Sequence, residues 1–188
     1  MTRQQTKSTI KRSLFAGVSA ILLSFNAWAF ELSSPDVAEG KSLNAAQVYK
    51  GFGCDGGNLS PALAWKDAPA GVRSFAVTIY DPDAPTGSGW WHWLVYNIPA
   101  STSALPAGAA VKTPLPRGAR QGRNDFGEHN FGGACPPKND KPHHYVFSVY
   151  ALKVDKLDVP KAASAALIGF MLNNNSLGTA KLTATYSR

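Results

Sequence analysis

The chain has 188 residues and a formal net charge of +7. Four of its nineteen basic residues, Arg3, Lys7, Lys11 and Arg12, stand in the first 29 positions and all twelve acidic residues stand beyond them, so the remaining 159 residues carry 15 − 12 = +3, a normal size for one domain with a real core. So mild a charge, with no dense Lys/Arg run, argues against nucleic-acid binding.

The N-terminal residues have the order of a secretory signal peptide: a basic flank, an apolar run over residues 14–25, and Ala27-Trp28-Ala29 with small residues at −3 and −1 of a cut. The run is short for a bilayer span and nothing later approaches membrane length, so no integral membrane segment is expected. No twin-arginine pair precedes the run and no cysteine follows the proposed cut, which speaks against twin-arginine export and a lipid anchor. The expected organisation is a leader over 1–29 and one domain over 30–188, exported to the periplasm or beyond.

Cys54 and Cys135 are the two cysteines. In an oxidising compartment they read most simply as a disulfide. A two-cysteine metal or redox site is the weaker alternative, since no Cys-x-x-Cys is present. Further on, SFAVTIYD (74–81), WHWLVYNI (91–98) and HHYVFSVYAL (143–152) are rich in β-branched and aromatic residues and read as strands. Gly and Pro clusters punctuate them. Strict alternation puts Trp91 and Trp93 on one face of their strand and His92 on the other. The connection 99–142 is long for a structureless loop and needs a functional or structural reason. Residues 161–175 carry helical spacing and end in asparagines, and residues 179–186 read as a closing strand. The fold class expected is mainly β and antiparallel, with a few peripheral α-helices.

The densest chemistry lies in DPDAPTGSGWWHW (81–93). Asp81 and Asp83 stand where an apolar strand ends, with Pro82 fixing the turn between them. Either the carboxylates cap that turn or they are displayed for binding. The Gly132-Gly133 stretch allows close approach of backbone N–H groups to an anion and leads to His143, His144 and Tyr145 at the opening of another strand.

The order NLSPALAW (58–65), DPDAP (81–85), WWHWLVYNIP (90–99), FGGACPP (131–137) and HHYVF (143–147) resembles the phosphatidylethanolamine-binding protein family, and within it the bacterial Raf-kinase-inhibitor-like branch. The resemblance spans nearly all of the chain after residue 29. It implies a central antiparallel sheet with a smaller second sheet, and a small cavity for phosphate or phosphoethanolamine-type groups. Carried over by position, the ligand-binding residues are Asp81, Asp83, Pro85, Trp90, His92, Gly133, His143 and Tyr145. His144 is left out of that set, and Cys135 stands where some relatives have glycine.

Two aspartates facing an anion would repel it. At least one is therefore expected to accept a hydrogen bond from a histidine ring and favour an imidazolium that meets the anion. Tyr145 and N–H groups near Gly133 would add donors, and Trp90 a flat face for an ammonium or apolar group. The implied function is non-enzymatic binding of a small anionic or zwitterionic ligand without a cofactor, together with an inhibitory contact to a protein partner such as a protease or another envelope protein. The rival is a metal-dependent hydrolase using Asp81, Asp83, His92 and His143. Serine hydrolysis at Ser88 lacks the G-x-S-x-G frame. Lys112, Arg117, Arg120 and Arg123 read as a solvated loop face, and no function attaches to the sequon-like Asn58-Leu59-Ser60.

Overall fold

A computed structural model describes residues 1–2 and 29–188; the leader expected over 1–29 falls almost wholly outside the described residues. In chain order the strands are β1 (Glu31–Ser33), β2 (Lys50–Gly51), β3 (Cys54–Asp55), β4 (Leu63–Lys66), β5 (Ser74–Asp81), β6 (Trp90–Pro99), β7 (Ala104–Leu105), β8 (Arg120–Gln121), β9 (His143–Leu152) and β10 (Ser176–Tyr186), with one α-helix, α1 (Ala165–Asn175), ahead of β10. Five strands form the main sheet in the order β10-β9-β5-β6-β8, and β1-β4-β7 form a smaller one. Every pairing within the two sheets is antiparallel. The expected mainly β class with a second, smaller sheet is therefore the one observed, with α1 and a single 3-10 turn at Ala45–Gln47 as its helices among the described residues.

The central strands are buried on both faces, which is why they read as continuous apolar runs rather than alternating ones. Phe75, Val77, Ile79, Trp93, Val95 and Phe147 pack with Leu32, Leu63, Trp65 and Leu105 of the smaller sheet. Ala76, Leu94, Tyr96 and Leu152 pack on the opposite side with Ile168 and Leu172 of α1. The helix begins at Ala165 rather than 161 because Ser164 caps it, its hydroxyl accepting the Leu167 N–H at 3.1 Å.

One expectation is corrected, and the long connection finds its explanation. In β6 the register runs from Ile79↔Trp93 to Tyr80↔Trp91, so His92 is an extra residue in a β-bulge. Trp93 joins the core beneath the smaller sheet while Trp91 packs on the helix side, so the two do not share a face. The connection 99–142 is also not structureless, since it supplies β7 and β8, each the edge of one sheet.

The outer edge of β10 is partly covered by residues 39–43. Gly40 and Leu43 donate their N–H groups to the carbonyls of Thr183 and Thr185, Thr185 donates to the carbonyl of Lys41, and Thr183 donates to the Glu39 carboxylate. Lys181 stands exposed further along the same edge. Lys112, Arg117, Arg120 and Arg123 are all exposed, in accord with a solvated face.

Cys54 and Cys135 form a disulfide, Cα–Cα 6.1 Å, across a sequence separation of 81. Closing a loop of that length restricts the unfolded chain by about 4.5 kcal/mol in the chain-entropy account. Paired Cys54→Ser and Cys135→Ser substitutions are expected to lower unfolding free energy by about that amount. Denaturant titrations of the variant and the oxidised protein measure it; a difference below about 1 kcal/mol contradicts the assignment of a structural tie.

Candidate functional site

Antiparallel pairing brings the end of β5 beside the starts of β6 and β9: Asp81 pairs with Trp90, and Tyr80 with both Trp91 and Val146. The Asp-Pro-Asp turn, the Trp/His strand and the His/Tyr strand thereby meet at one end of the main sheet. The disulfide brings the loops around residues 52 and 135 over the same end. They enclose a cavity of about 220 Å³. Phe52, Pro85, Trp90, Phe126, Pro136 and Pro137 give it apolar walls, and Asp81, Thr86, His92, His143 and Tyr145 its polar groups.

Asp81 is buried, with 3% of its surface exposed. One carboxylate oxygen accepts the backbone N–H groups of Asp83 (2.8 Å) and Ala84 (3.1 Å), so it caps its own turn. The other accepts from His143 Nδ1 at 2.7 Å, and His143 Nε2 lies 3.3 Å from Asp140. Burial acts to lower the His143 pKa, but the hydrogen bond and charge of Asp81, with Asp140 behind it, outweigh burial and raise it above the ordinary 6.5. Both ring nitrogens are thus committed to carboxylates, and the pair is internally neutralised.

His92 differs. Its Nδ1–H donates to the Gly132 carbonyl at 2.8 Å, while Nε2, buried, has no partner among the described residues. Burial holds its pKa below the usual imidazole value, against the Gly132 carbonyl and the charge of Asp81. The ring packs edge-on against Phe126 and Tyr145, with centroids at 5.5 and 5.1 Å. Trp90 Nε1 and the Tyr145 hydroxyl are likewise buried and without partners. Burial also pushes the Tyr145 hydroxyl far above the ordinary phenol range, so it keeps its proton as a donor.

Of the eight residues expected at the site, six line the cavity: Asp81, Pro85, Trp90, His92, His143 and Tyr145. Asp83 does not. Its carboxylate accepts from the N–H and Nδ1 of His144 at 2.8 and 2.7 Å, with Lys141 3.5 Å away, and the His144 hydrogen bond leads in holding its pKa below the usual value. Gly133 also lies outside the walls. Its N–H donates to Asn58 Oδ1 at 2.8 Å, and a Cβ there would fall 2.4 Å from the Gln47 carbonyl oxygen, so glycine serves close backbone packing. Phe52 and Phe126 were not singled out from sequence; the cysteine next but one to Phe52 was the available signal for the first.

The metal reading is not supported by this geometry. Asp83 faces away, the Asp81 and His143 atoms are already engaged, and among the described residues no group of three or more His, Cys, Asp or Glu is placed to hold a metal ion. Ser88 is exposed in the turn after β5. No helix among the described residues is long and apolar enough to cross a membrane.

A family model for phosphatidylethanolamine-binding protein matches residues 33–187. The chain is similar to the UPF0098 protein YbcL of Escherichia coli, 56% identical over 168 residues that cover 88% of this chain and 92% of YbcL. It is also similar to E. coli YbhB, 49% identical over 158 residues covering 84% of this chain and 99% of YbhB. The crystal structure of E. coli YbcL superimposes with a TM-score of 0.82, covering 85% of this chain and 98% of that one.

Removing one charge of a buried pair strands the other, so Asp81→Asn is expected to cost on the order of 3 kcal/mol. Because the His143 pKa is raised on folding, the stability it contributes is complete below 6.5 and is lost as the pH rises through the raised value. The gap between wild type and Asp81→Asn therefore narrows on raising the pH above neutrality. Denaturant titrations across that range check this, and a gap that widens with pH refutes the charged pair.

Proposed function

The chain belongs to the phosphatidylethanolamine-binding protein family, and from that premise we propose that it is a non-enzymatic binding protein whose cavity receives a small phosphate or phosphoethanolamine-type group. The observation that carries this reading is that three residues lining one aromatic-walled hollow, Trp90, His92 and Tyr145, each hold a buried polar atom (Nε1, Nε2 and the hydroxyl) with no partner among the described residues. Buried polar groups are as a rule hydrogen-bonded, and unsatisfied ones on the residues around a concavity are what a polar ligand head can complete. At about 220 Å³ the hollow suits a head group rather than a whole lipid. Trp90 and Phe126, whose rings meet edge-on at 5.3 Å, offer faces to an ammonium, a contact of roughly 0.5–2 kcal/mol.

Asp83 and Gly133 act in this reading as supports, one anchoring the start of β9 and the other allowing the wall to close. Export through a cleaved leader over 1–29, with residues 30–188 as the mature domain, belongs to the same proposal; the disulfide suits such a compartment. A regulatory contact with a protease or another envelope protein would use the cavity mouth, where Phe52 is 69% exposed.

Titrating phosphoethanolamine into labelled protein is expected to shift the ring resonances of His92 and Trp90. Tyr145→Phe, which removes one donor to a charged oxygen, is expected to weaken binding by about tenfold. Unchanged His92 and Trp90 resonances at millimolar ligand refute the proposal.

A further inference from the structure

The three atoms without partners differ in what they require. Trp90 Nε1 only donates, and the Tyr145 hydroxyl donates readily. His92 Nε2 is an acceptor, because the carbonyl of Gly132 cannot donate and so fixes the proton on Nδ1. A bare oxyanion has acceptors alone. It satisfies Trp90 and Tyr145 but sets a third oxygen lone pair against Nε2.

Burial opposes adding a proton to His92 and outweighs the neighbouring groups that favour it. The ring is enclosed by Gly132, Phe126 and Tyr145, and the charged groups acting on it are Asp81 and Asp125. Asp81 is already neutralised by His143. Among the described residues no Lys or Arg side chain lines the cavity, and the His143 charge is answered by Asp81 and Asp140. The hollow thus offers no free cation to a ligand.

Resting on the reading of the cavity as an oxyanion site, we infer that it selects oxyanions that keep a proton, namely phosphate and its monoesters, over sulfates and over the phosphodiester of an intact lipid head group. A monoprotonated phosphate places its O–H on His92 Nε2 and its remaining oxygens against Trp90 and Tyr145. The complex then holds one proton between ligand oxygen and imidazole, and the binding equilibrium is the same whichever atom carries it. Diesters and sulfates bring no such proton and must take it from solvent onto a buried ring.

The test uses the purified protein with its disulfide formed and three small probes without an ammonium group: methyl phosphate, its isostere methyl sulfate, and dimethyl phosphate. Calorimetry at about pH 6, near the second ionisation of a phosphomonoester, is expected to give methyl phosphate at least tenfold tighter than the other two. Its affinity is expected to fall more than tenfold on moving to about pH 8, as the protonated form disappears. Equal affinities for methyl phosphate and methyl sulfate overturn the selection by proton while leaving an anion site in place. Binding of none of the three overturns the proposed function itself. His92→Phe is expected to level the series, and since the wild-type series decides alone, a variant that fails to fold changes nothing.

Discussion

The buried contact between Asp81 and His143 organises the end of the sheet where the cavity lies. It joins the last residue of β5 to the first of β9, and through the second carboxylate oxygen it also shapes the turn that carries Pro85 and Thr86 into the wall. Two charges can stand in so dry a place because each meets the other and because hydrogen bonds take up the remaining carboxylate valences. The pair contributes architecture, and it leaves the polar work of the cavity to groups that carry no net charge.

The bulge at His92 is the second determinant. Had β6 continued in strict alternation, His92 would have faced the helix side and Trp91 the cavity side. One additional residue turns the imidazole toward Tyr145 and fixes it there through Gly132. An irregularity of this kind re-aims a side chain by bending its strand and interrupting the ladder at one point.

Much of the frame was legible beforehand, and for a physical reason. β5 and β9 are buried on both faces, so their apolar runs are continuous and their ends sharp. β1, β4 and β7 span only two to four residues and leave no pattern to read. The site was legible as a set of motifs, since distant residues of unusual type cluster at strand ends. Its chemistry was less so: sequence suggested an imidazolium directed at an anion, whereas the ring whose pKa is raised is spent on Asp81 and Asp140 and the ring left open is the one whose pKa burial lowers. Phe52 and Phe126 reach the wall through irregular loops, and periodicity says nothing about those.

The strip of chain along β10 has a meaning beyond the fold. Outward peptide groups of the strand's C-terminal half are already saturated by residues 39–43, a lysine stands farther along, and the opposite border is a strand of two residues. A sheet so bordered gives another polypeptide little main chain to zip onto, which guards against runaway strand addition in a crowded compartment.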